Sequence, residues 1–200
     1  MQIVFDCVAE QLSSAGSDTR RLFHGRGHCF PGFEHLVIDW FSPVAVVRLY
    51  KAAEEAWLAQ LCEGLRQFGQ IEALVVQQRA RGQEAINRVE WGEVSEEQHA
   101  MELGLRYLVK PQRNQNSGLF LDMRNGRQWV REQAAGKRVL NLFSYTCSFS
   151  VAALAGGAEH VVNVDMARNM LNIGRENHRL NEFDASQVTY LGYDIFRSWK

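Results

Sequence analysis

Several features that mark particular classes of protein are missing from this chain. Its 200 residues contain no apolar run long enough to cross a membrane. No basic stretch precedes the first apolar residues, so no signal peptide is expected at this position. The cysteines are few and lack paired spacing: Cys7, Cys29, Cys62 and Cys147. We therefore expect reduced thiols in a cytoplasmic protein.

An excess of positive charge is also missing. The formal net charge is −1 at pH 7, whereas a dedicated nucleic-acid-binding protein is usually basic. Arginine side chains can nevertheless hold phosphates in a neutral chain. The arginines fall in three groups: Arg20, Arg21 and Arg26; Arg79, Arg81 and Arg88; Arg124, Arg127 and Arg131. For each group, RNA contact and ordinary solvated surface both stay open.

The dinucleotide fingerprint Gly-x-Gly-x-x-Gly is absent from residues 137–165, which otherwise have the pattern of a nucleotide-binding α/β unit. A buried strand is predicted at 139–143, a helix at 149–155 and a second strand at 161–164, followed by Asp165. Without the glycines there is no bare backbone for a pyrophosphate. A ligand with a ribose alone fits better, and S-adenosylmethionine is the common one. An α/β domain that binds no nucleotide has the same pattern and stays open.

Three runs of the sequence resemble one family: 115–124 (QNSGLFLDMR), 139–146 (VLNLFSYT) and 162–167 (VNVDMA). They are similar to the class I S-adenosylmethionine-dependent methyltransferases related to the bacterial 23S ribosomal RNA cytosine-C5 and guanine-N7 methyltransferases. The resemblance extends from about His24 to the last residue. It implies methyl transfer from S-adenosylmethionine, with RNA, and ribosomal RNA in particular, as the substrate. Cys147 stands where many relatives have glycine, which makes the turn less permissive of positive φ.

The candidate cofactor-binding residues follow from the strand ends and from this resemblance. Asp165 can accept hydrogen bonds from both ribose hydroxyls, or it can simply cap the helix expected to start at Met166. Asp194, after the strand predicted at 188–191, is the candidate for the adenine amino group, or a turn aspartate. Met166 is expected to pack on adenine or in the core. The first strand and its turn supply the others: Asn141, Phe143, Ser144, Tyr145 and Thr146.

Two more candidates come from the resemblance alone. Asp122 and Arg124 border the methionine end of the cofactor, where Arg124 can meet a carboxylate; the alternative is a solvated helix face. No metal site is predicted. The glycine-rich loop at 21–32 holds two histidines and a cysteine without paired ligand spacing. Phosphate or RNA contact, or a buttress for the neighbouring domain, is therefore favoured over zinc.

The predicted fold class is α/β, with a small α+β domain at 1–110 and the first half of a Rossmann-like methyltransferase sheet at 111–200. Residues 1–16 are weakly patterned. The other elements expected in the first domain, which is also the candidate for RNA contact, are strands at 36–41, 44–50, 71–77 and 99–109 and a helix at 51–68. Those expected to complete the second domain are a strand at 118–122 and helices at 124–135 and 166–180.

The chain ends just after the third strand predicted for the nucleotide-binding unit. In the family that it resembles, the next strand carries an Asp-Pro-Pro motif beside the transferred methyl group. We therefore expect the catalytic residues beyond Lys200 and assign none here. A fragment of this kind is expected to show no turnover alone and to associate through an open sheet edge, for example as a homodimer. A non-catalytic RNA-binding module and a nucleotide-dependent oxidoreductase are the alternative functions.

Overall fold

A computed structural model describes residues 1–78, 86–113 and 116–198 of the chain. Arg79 and Arg81, two of the candidate RNA-contacting arginines, lie outside these ranges. The elements are of mixed α and β type, as the sequence predicts. Within the described ranges, no helix is both long enough and apolar enough to cross a membrane.

The chain forms two compact units. The first comprises Met1–Met101 and Val109–Ser117, and the second comprises Glu102–Leu108 and Gly118–Lys200. The exact bounds of the predicted domains, with a division between residues 110 and 111, stay a prediction.

The first unit is built on a five-stranded sheet with the order β1-β2-β3-β4-β5. Its elements are α1 (Gln2–Ser13), β1 (Arg20–His24), β2 (Leu36–Phe41), β3 (Val44–Leu49), α2 (Glu55–Arg66), β4 (Ala73–Gln78) and β5 (Ile86–Trp91). Neighbouring strands are antiparallel except for β3 and β4, which are parallel because α2 carries the chain back across the sheet. The sequence prediction missed α1, β1 and β5.

One face of this sheet carries the main apolar core of the unit. Both helices place apolar side chains at helical spacing against it: Val4, Val8 and Leu12 from α1, and Leu58, Leu61 and Leu65 from α2. Alternate strand residues such as Ile38 and Val47 meet them. Every residue of β2 and β3 is buried, so both faces of the central strands are covered.

The opposite face of the same sheet buries a polar cluster. Asp39 pairs with Arg48 and, at 2.8 Å, with Arg21. The Arg48 guanidinium also donates to Ser117 Oγ at 2.5 Å and to Gln77 Oε1 at 3.1 Å. Buried charges are tolerated when they are paired and hydrogen-bonded. These contacts therefore pair the buried Asp39 carboxylate with two arginines and fix Ser117 on the sheet.

A hairpin replaces the single strand predicted over residues 99–109, and that prediction is wrong. β6 (Gln98–Glu102) and β7 (Leu105–Val109) form a two-stranded sheet. The residues between them, Leu103 and Gly104, have φ values of 54° and 76°. Positive φ reverses the chain here, and glycine adopts it without the steric cost of a side chain.

The strand predicted over residues 118–122 is also wrong. Leu121–Met123 form a 3-10 helix that runs directly into α3 (Arg124–Gln133). Leu121 is buried while Phe120 is 41% exposed. The apolar run that suggested a strand therefore belongs to a helix entry, where short 3-10 turns are common.

The second unit is built on a parallel sheet with the order β10-β9-β8. After α3, its elements are β8 (Arg138–Leu142), α4 (Ser148–Ala155), β9 (His160–Val164), α5 (Arg168–Leu180), a 3-10 helix (Ala185–Gln187), β10 (Val188–Leu191) and α6 (Ile195–Ser198). Ala153 and Leu154 of α4 pack with Val161 and Val188 from the strands. The predicted strand–helix–strand–helix–strand order is confirmed, although α5 starts two residues later than predicted. The prediction that the first strand is buried is wrong, because every residue of β8 is half-buried or exposed.

Candidate functional site

The turn between β8 and α4 has an uncommon backbone. Phe143, Tyr145 and Cys147 have φ values of 53°, 48° and 60°, in the left-handed region that side chains with a Cβ usually avoid. Each such residue costs on the order of 1–3 kcal/mol, and such strain is concentrated at ligand sites and active sites. Because three of five consecutive residues carry it, this turn is the leading candidate for a binding loop.

Hydrogen bonds from the surrounding elements hold the turn in this conformation. The Ser144 N–H donates to Val164 O at 3.1 Å. The Thr146 hydroxyl donates to Gly118 O at 2.6 Å, and Asn177 Nδ2 donates to Thr146 O at 2.8 Å. The strain is therefore compensated by contacts from β9, from Gly118 ahead of the 3-10 helix, and from α5.

Asp165 lies beside this turn at the carboxyl end of β9. Its Oδ2 accepts from the Tyr145 N–H and its Oδ1 from the Ala167 N–H, each at 2.8 Å. These two bonds fix the carboxylate in place, and each oxygen keeps a further lone pair. Helix α5 begins at Arg168, with Ala167 as its N-cap and no side-chain capping bond, so the alternative that Asp165 caps this helix is wrong. Its bond to the Ala167 N–H closes the turn before the helix, and both oxygens keep acceptor capacity for a ligand.

A shallow pocket of about 70 Å³ opens between this carboxylate and α6. Its walls are Phe143, Val164, Asp165, Met166, Tyr193, Asp194, Ile195 and Phe196. Four residues predicted from the sequence, Phe143, Asp165, Met166 and Asp194, thus come together. Phe143 and Phe196 lie with ring centroids 5.8 Å apart, and their exposed fractions are 63% and 84%. Exposed aromatic rings beside a fixed carboxylate suit a ligand with a planar ring and hydroxyls.

Asp194, like Asp165, accepts a hydrogen bond from the backbone N–H two residues ahead. Its Oδ1 accepts from the Phe196 N–H at 3.0 Å, and its Oδ2 lies 3.5 Å from Arg197 Nε. Sequence reasoning missed Tyr193, Ile195 and Phe196. Their position next to Asp194, directly after a strand, is the signal that could have indicated them.

The other predicted residues divide into two sets. Ser144 and Thr146 are buried, so their side chains support the turn and do not line the pocket. Asn141 and Tyr145 are half-buried, and the Tyr145 ring lies 5.2 Å from that of Phe120. This ring contact brings the segment that leads into α3 next to the turn.

Asp122 and Arg124 lie on that segment, outside the pocket. Asp122 is exposed in the 3-10 helix, and Arg124, which is half-buried, is the first residue of α3. The hydrogen bond from Thr146 to Gly118 O and the ring contact of Phe120 place the segment against the binding turn.

Cys147 is fully buried at the last position of the turn. Its Sγ faces Gly174 of α5, where an added Cβ would lie 2.3 Å from the sulfur. Burial raises the pKa of the Cys147 thiol to about 12, so it stays protonated at neutral pH and is a poor nucleophile. In the described part of the chain, no group of three or more His, Cys, Asp or Glu residues could hold a metal ion.

Comparison with known proteins decides the family. Residues 20–200 match the S-adenosylmethionine-dependent methyltransferase family. The chain belongs to this family. The resemblance drawn from the three sequence runs is confirmed, and so is the Rossmann-like fold class.

Relatives in this family include named ribosomal RNA enzymes. Ribosomal RNA large subunit methyltransferase I of Escherichia coli is 34% identical over 192 residues, which are 91% of this chain and 47% of the relative. The protein of the same name from Aeromonas hydrophila is 33% identical over 173 residues, 83% of this chain and 44% of the relative. The chain therefore spans about half the length of the curated relatives that it matches.

A solved structure agrees with these matches. The crystal structure of SMU.776 complexed with SAH superposes with a TM-score of 0.85 and 27% identity, over 98% of this chain and 50% of that one. The cofactor class of the family is S-adenosylmethionine, and the residues that line the pocket fit it. A fixed carboxylate with spare lone pairs suits a ribose diol, and the exposed aromatic and methionine side chains suit adenine. The match favours methyl transfer over the oxidoreductase alternative.

Proposed function

We propose that this chain carries the cofactor-binding part of an S-adenosylmethionine-dependent methyltransferase that acts on ribosomal RNA. The observation that carries the proposal is the Asp165 carboxylate, clamped by two backbone N–H groups beside a strained turn. The bound cofactor supplies an electrophilic methyl group. The residues of this chain bind and orient it, which is the main protein contribution to an in-line transfer.

Each predicted residue has a role in this proposal. Asp165 accepts hydrogen bonds from the ribose hydroxyls, Asp194 accepts from the adenine amino group, and Phe143 and Met166 cover the adenine ring. The remaining residues support the turn or border the methionine end of the cofactor: Asp122, Arg124, Asn141, Ser144, Tyr145 and Thr146. The catalytic group that acts on the base is left unassigned, because the only cysteine at the turn, Cys147, is buried and protonated.

Ribosomal RNA as substrate is supported by the names of the relatives, which are ribosomal RNA large subunit methyltransferases. We extend this substrate to the present chain, assign RNA contact to the first unit, and place the protein in the cytoplasm, where such RNA is available. Self-association is supported by β8, whose Leu140 and Leu142 are 57% and 36% exposed and which pairs only with β9 among the described residues. An open, apolar strand edge favours pairing with another chain, for example as a homodimer.

A ligand titration tests the proposal. We expect the purified chain to bind S-adenosylhomocysteine with one site per chain in calorimetry, and to show no heat with NAD. Binding of NAD without S-adenosylhomocysteine would support the oxidoreductase alternative. Binding of ribosomal RNA without S-adenosylhomocysteine would support the non-catalytic RNA-binding module.

A further inference from the structure

A continuous chain of side-chain hydrogen bonds crosses the interior of the second unit. It begins at Asn141 on β8, whose Nδ2 donates to Asn163 Oδ1 at 2.9 Å. Asn163 Nδ2 donates to Ser150 Oγ at 3.0 Å, and Ser150 Oγ lies 2.8 Å from His178 Nε2. Asn163, Ser150 and His178 are buried, so each of these polar groups depends on its partners in the chain.

A backbone carbonyl fixes which group donates and which accepts in every hydrogen bond from His178 to Asn141. His178 Nδ1 lies 2.6 Å from Gly174 O, and a carbonyl oxygen can only accept. Nδ1 therefore carries the proton, and in a neutral imidazole Nε2 is then an acceptor. The Ser150 hydroxyl must donate to Nε2, so its oxygen accepts from the Asn163 amide. The Asn163 carbonyl is left to accept from Asn141.

The surroundings of His178 favour the neutral ring. Burial lowers the pKa of His178, and the hydrogen bond to Gly174 O opposes this only in part. On the Nδ1 side, Tyr190 Oη lies 2.9 Å away, and burial raises the pKa of Tyr190, so this group stays uncharged. The charged group facing this side is Arg175, whose guanidinium lies 4.1 Å from the centre of the Tyr190 ring. A nearby cation disfavours an imidazolium further.

This arrangement leaves the side-chain oxygen of Asn141 available to a ligand. Its amide nitrogen is committed to Asn163, and its Oδ1 has no partner among the described residues. Asn141 is half-buried and lies two residues before the strained turn. We propose that the chain of hydrogen bonds from His178 orients Asn141 so that its carbonyl oxygen accepts from an N–H or O–H donor of the bound cofactor. Asn163, Ser150 and His178 are then positioning residues, and this inference rests on the proposed function.

The donor-to-acceptor direction of these hydrogen bonds can be observed through the protonation of His178. In the unchanged protein, nitrogen NMR of the histidine rings should show His178 as the neutral form protonated on Nδ1 across about pH 5–8, the range in which ordinary histidines titrate. A ring protonated on Nε2, or one that titrates like an exposed histidine, would overturn the inference without any variant.

Asn141→Asp tests the coupling along the chain. The new carboxylate cannot donate, so the Asn163 amide must turn over to donate to it. The Asn163 carbonyl then needs the Ser150 proton, and Ser150 Oγ needs a proton from His178 Nε2. Because Nδ1 stays bonded to Gly174 O, His178 must become doubly protonated. We expect its pKa to rise by about 1 unit or more.

Asn172→Asp is the matched control, since Asn172 is exposed on the same helix as His178. It adds the same charge without touching the chain and should leave the pKa of His178 almost unchanged. Equal shifts in both variants would show a simple field effect and would contradict the inference, as would an unchanged pKa in Asn141→Asp.

Cofactor affinity provides the functional readout. Ser150→Ala interrupts the chain and should weaken S-adenosylhomocysteine binding about three- to tenfold, the net size of one hydrogen bond. Ser150→Thr keeps the hydroxyl and should restore most of the affinity. If the unchanged protein binds and Ser150→Ala binds equally well, this inference fails while the proposed function stands. If the unchanged protein does not bind, the proposed function itself fails.

Discussion

The two units differ in where they place charged and apolar side chains. In the first, β2 and β3 are buried throughout, and the buried Asp39 carboxylate pairs with both Arg21 and Arg48. In the second, strained backbone and exposed aromatic rings are concentrated where β8 and β9 end. A self-contained sheet indicates a structural role, whereas strain and exposed apolar surface in one place indicate a ligand.

The largest effect expected from this difference is on stability in the first unit. Asp39→Ala leaves Arg48 buried without its carboxylate, and breaking a buried pair of this kind costs about 3–5 kcal/mol. We expect the free energy of unfolding to fall by that amount, measured by urea denaturation, while S-adenosylhomocysteine affinity at low urea is unchanged. Asp6→Ala, at an exposed carboxylate on α1, is the control and should cost little. A weakened cofactor affinity in Asp39→Ala would contradict a purely structural role for this cluster.

Thiol reactivity gives the next largest effect, because each unit buries one cysteine. Burial raises the pKa of Cys62 to about 11 and that of Cys147 to about 12. Cys29 is exposed. Alkylation near pH 8 should therefore be roughly 100-fold slower, or more, at the two buried thiols than at Cys29, since the thiolate is the reactive form.

The same experiment separates the units when the cofactor is added. S-adenosylhomocysteine should slow labelling of Cys147, which lies in the binding turn, and leave labelling of Cys62 unchanged. Peptide mass spectrometry measures both. Equal protection of the two thiols would mean that the ligand stabilises the protein globally, and that the turn has no special part.

Asp165→Ala affects the proposed ribose contact. The loss of a hydrogen bond to a charged acceptor should weaken S-adenosylhomocysteine binding by about 1.5–3 kcal/mol in calorimetry. Asp184→Ala is the matched control, because Asp184 also accepts from a backbone N–H two residues ahead, that of Ser186, and it lies outside the pocket. Equal affinities in Asp165→Ala and the unchanged protein would remove Asp165 from the site.

The smallest effect concerns RNA contact by the first unit. Each phosphate contact contributes about 0.7–0.9 to the slope of log affinity against log salt. Arg79→Ala combined with Arg81→Ala should therefore flatten the slope for ribosomal RNA by about 1–2 units. Arg88→Ala serves as the control from the same arginine group, because Arg88 is already ion-paired with Glu90. A slope equal to that of the unchanged protein would leave Arg79 and Arg81 as solvated surface.

The second unit was the more predictable from sequence. Its strands are short, continuous apolar runs, as expected for a parallel sheet, so β8, β9 and β10 were recognised. The carboxyl ends of such strands meet at one edge, which is why Phe143, Asp165 and Asp194 come together in the pocket. The chain from Asn141 to His178 was not predictable, because it depends on how α4 and α5 pack on the strands.

The first unit was harder to predict for local reasons. α1 has no side-chain cap at its start, and its three core positions, Val4, Val8 and Leu12, are too sparse to stand out. The alternating pattern at 99–109 continues through the turn at Leu103 and Gly104, so it concealed a hairpin. In both cases tertiary packing decided what a weak local pattern left open.

Hydrogen exchange with and without S-adenosylhomocysteine shows directly which unit binds the cofactor. If the second unit binds the cofactor through the strained turn, saturating ligand should slow exchange at residues 141–147, 163–167 and 192–196. Exchange in β2 and β3 should be unchanged. Slowing confined to the first unit, or spread evenly over both units, would contradict the assignment of the cofactor site to the turn between β8 and α4.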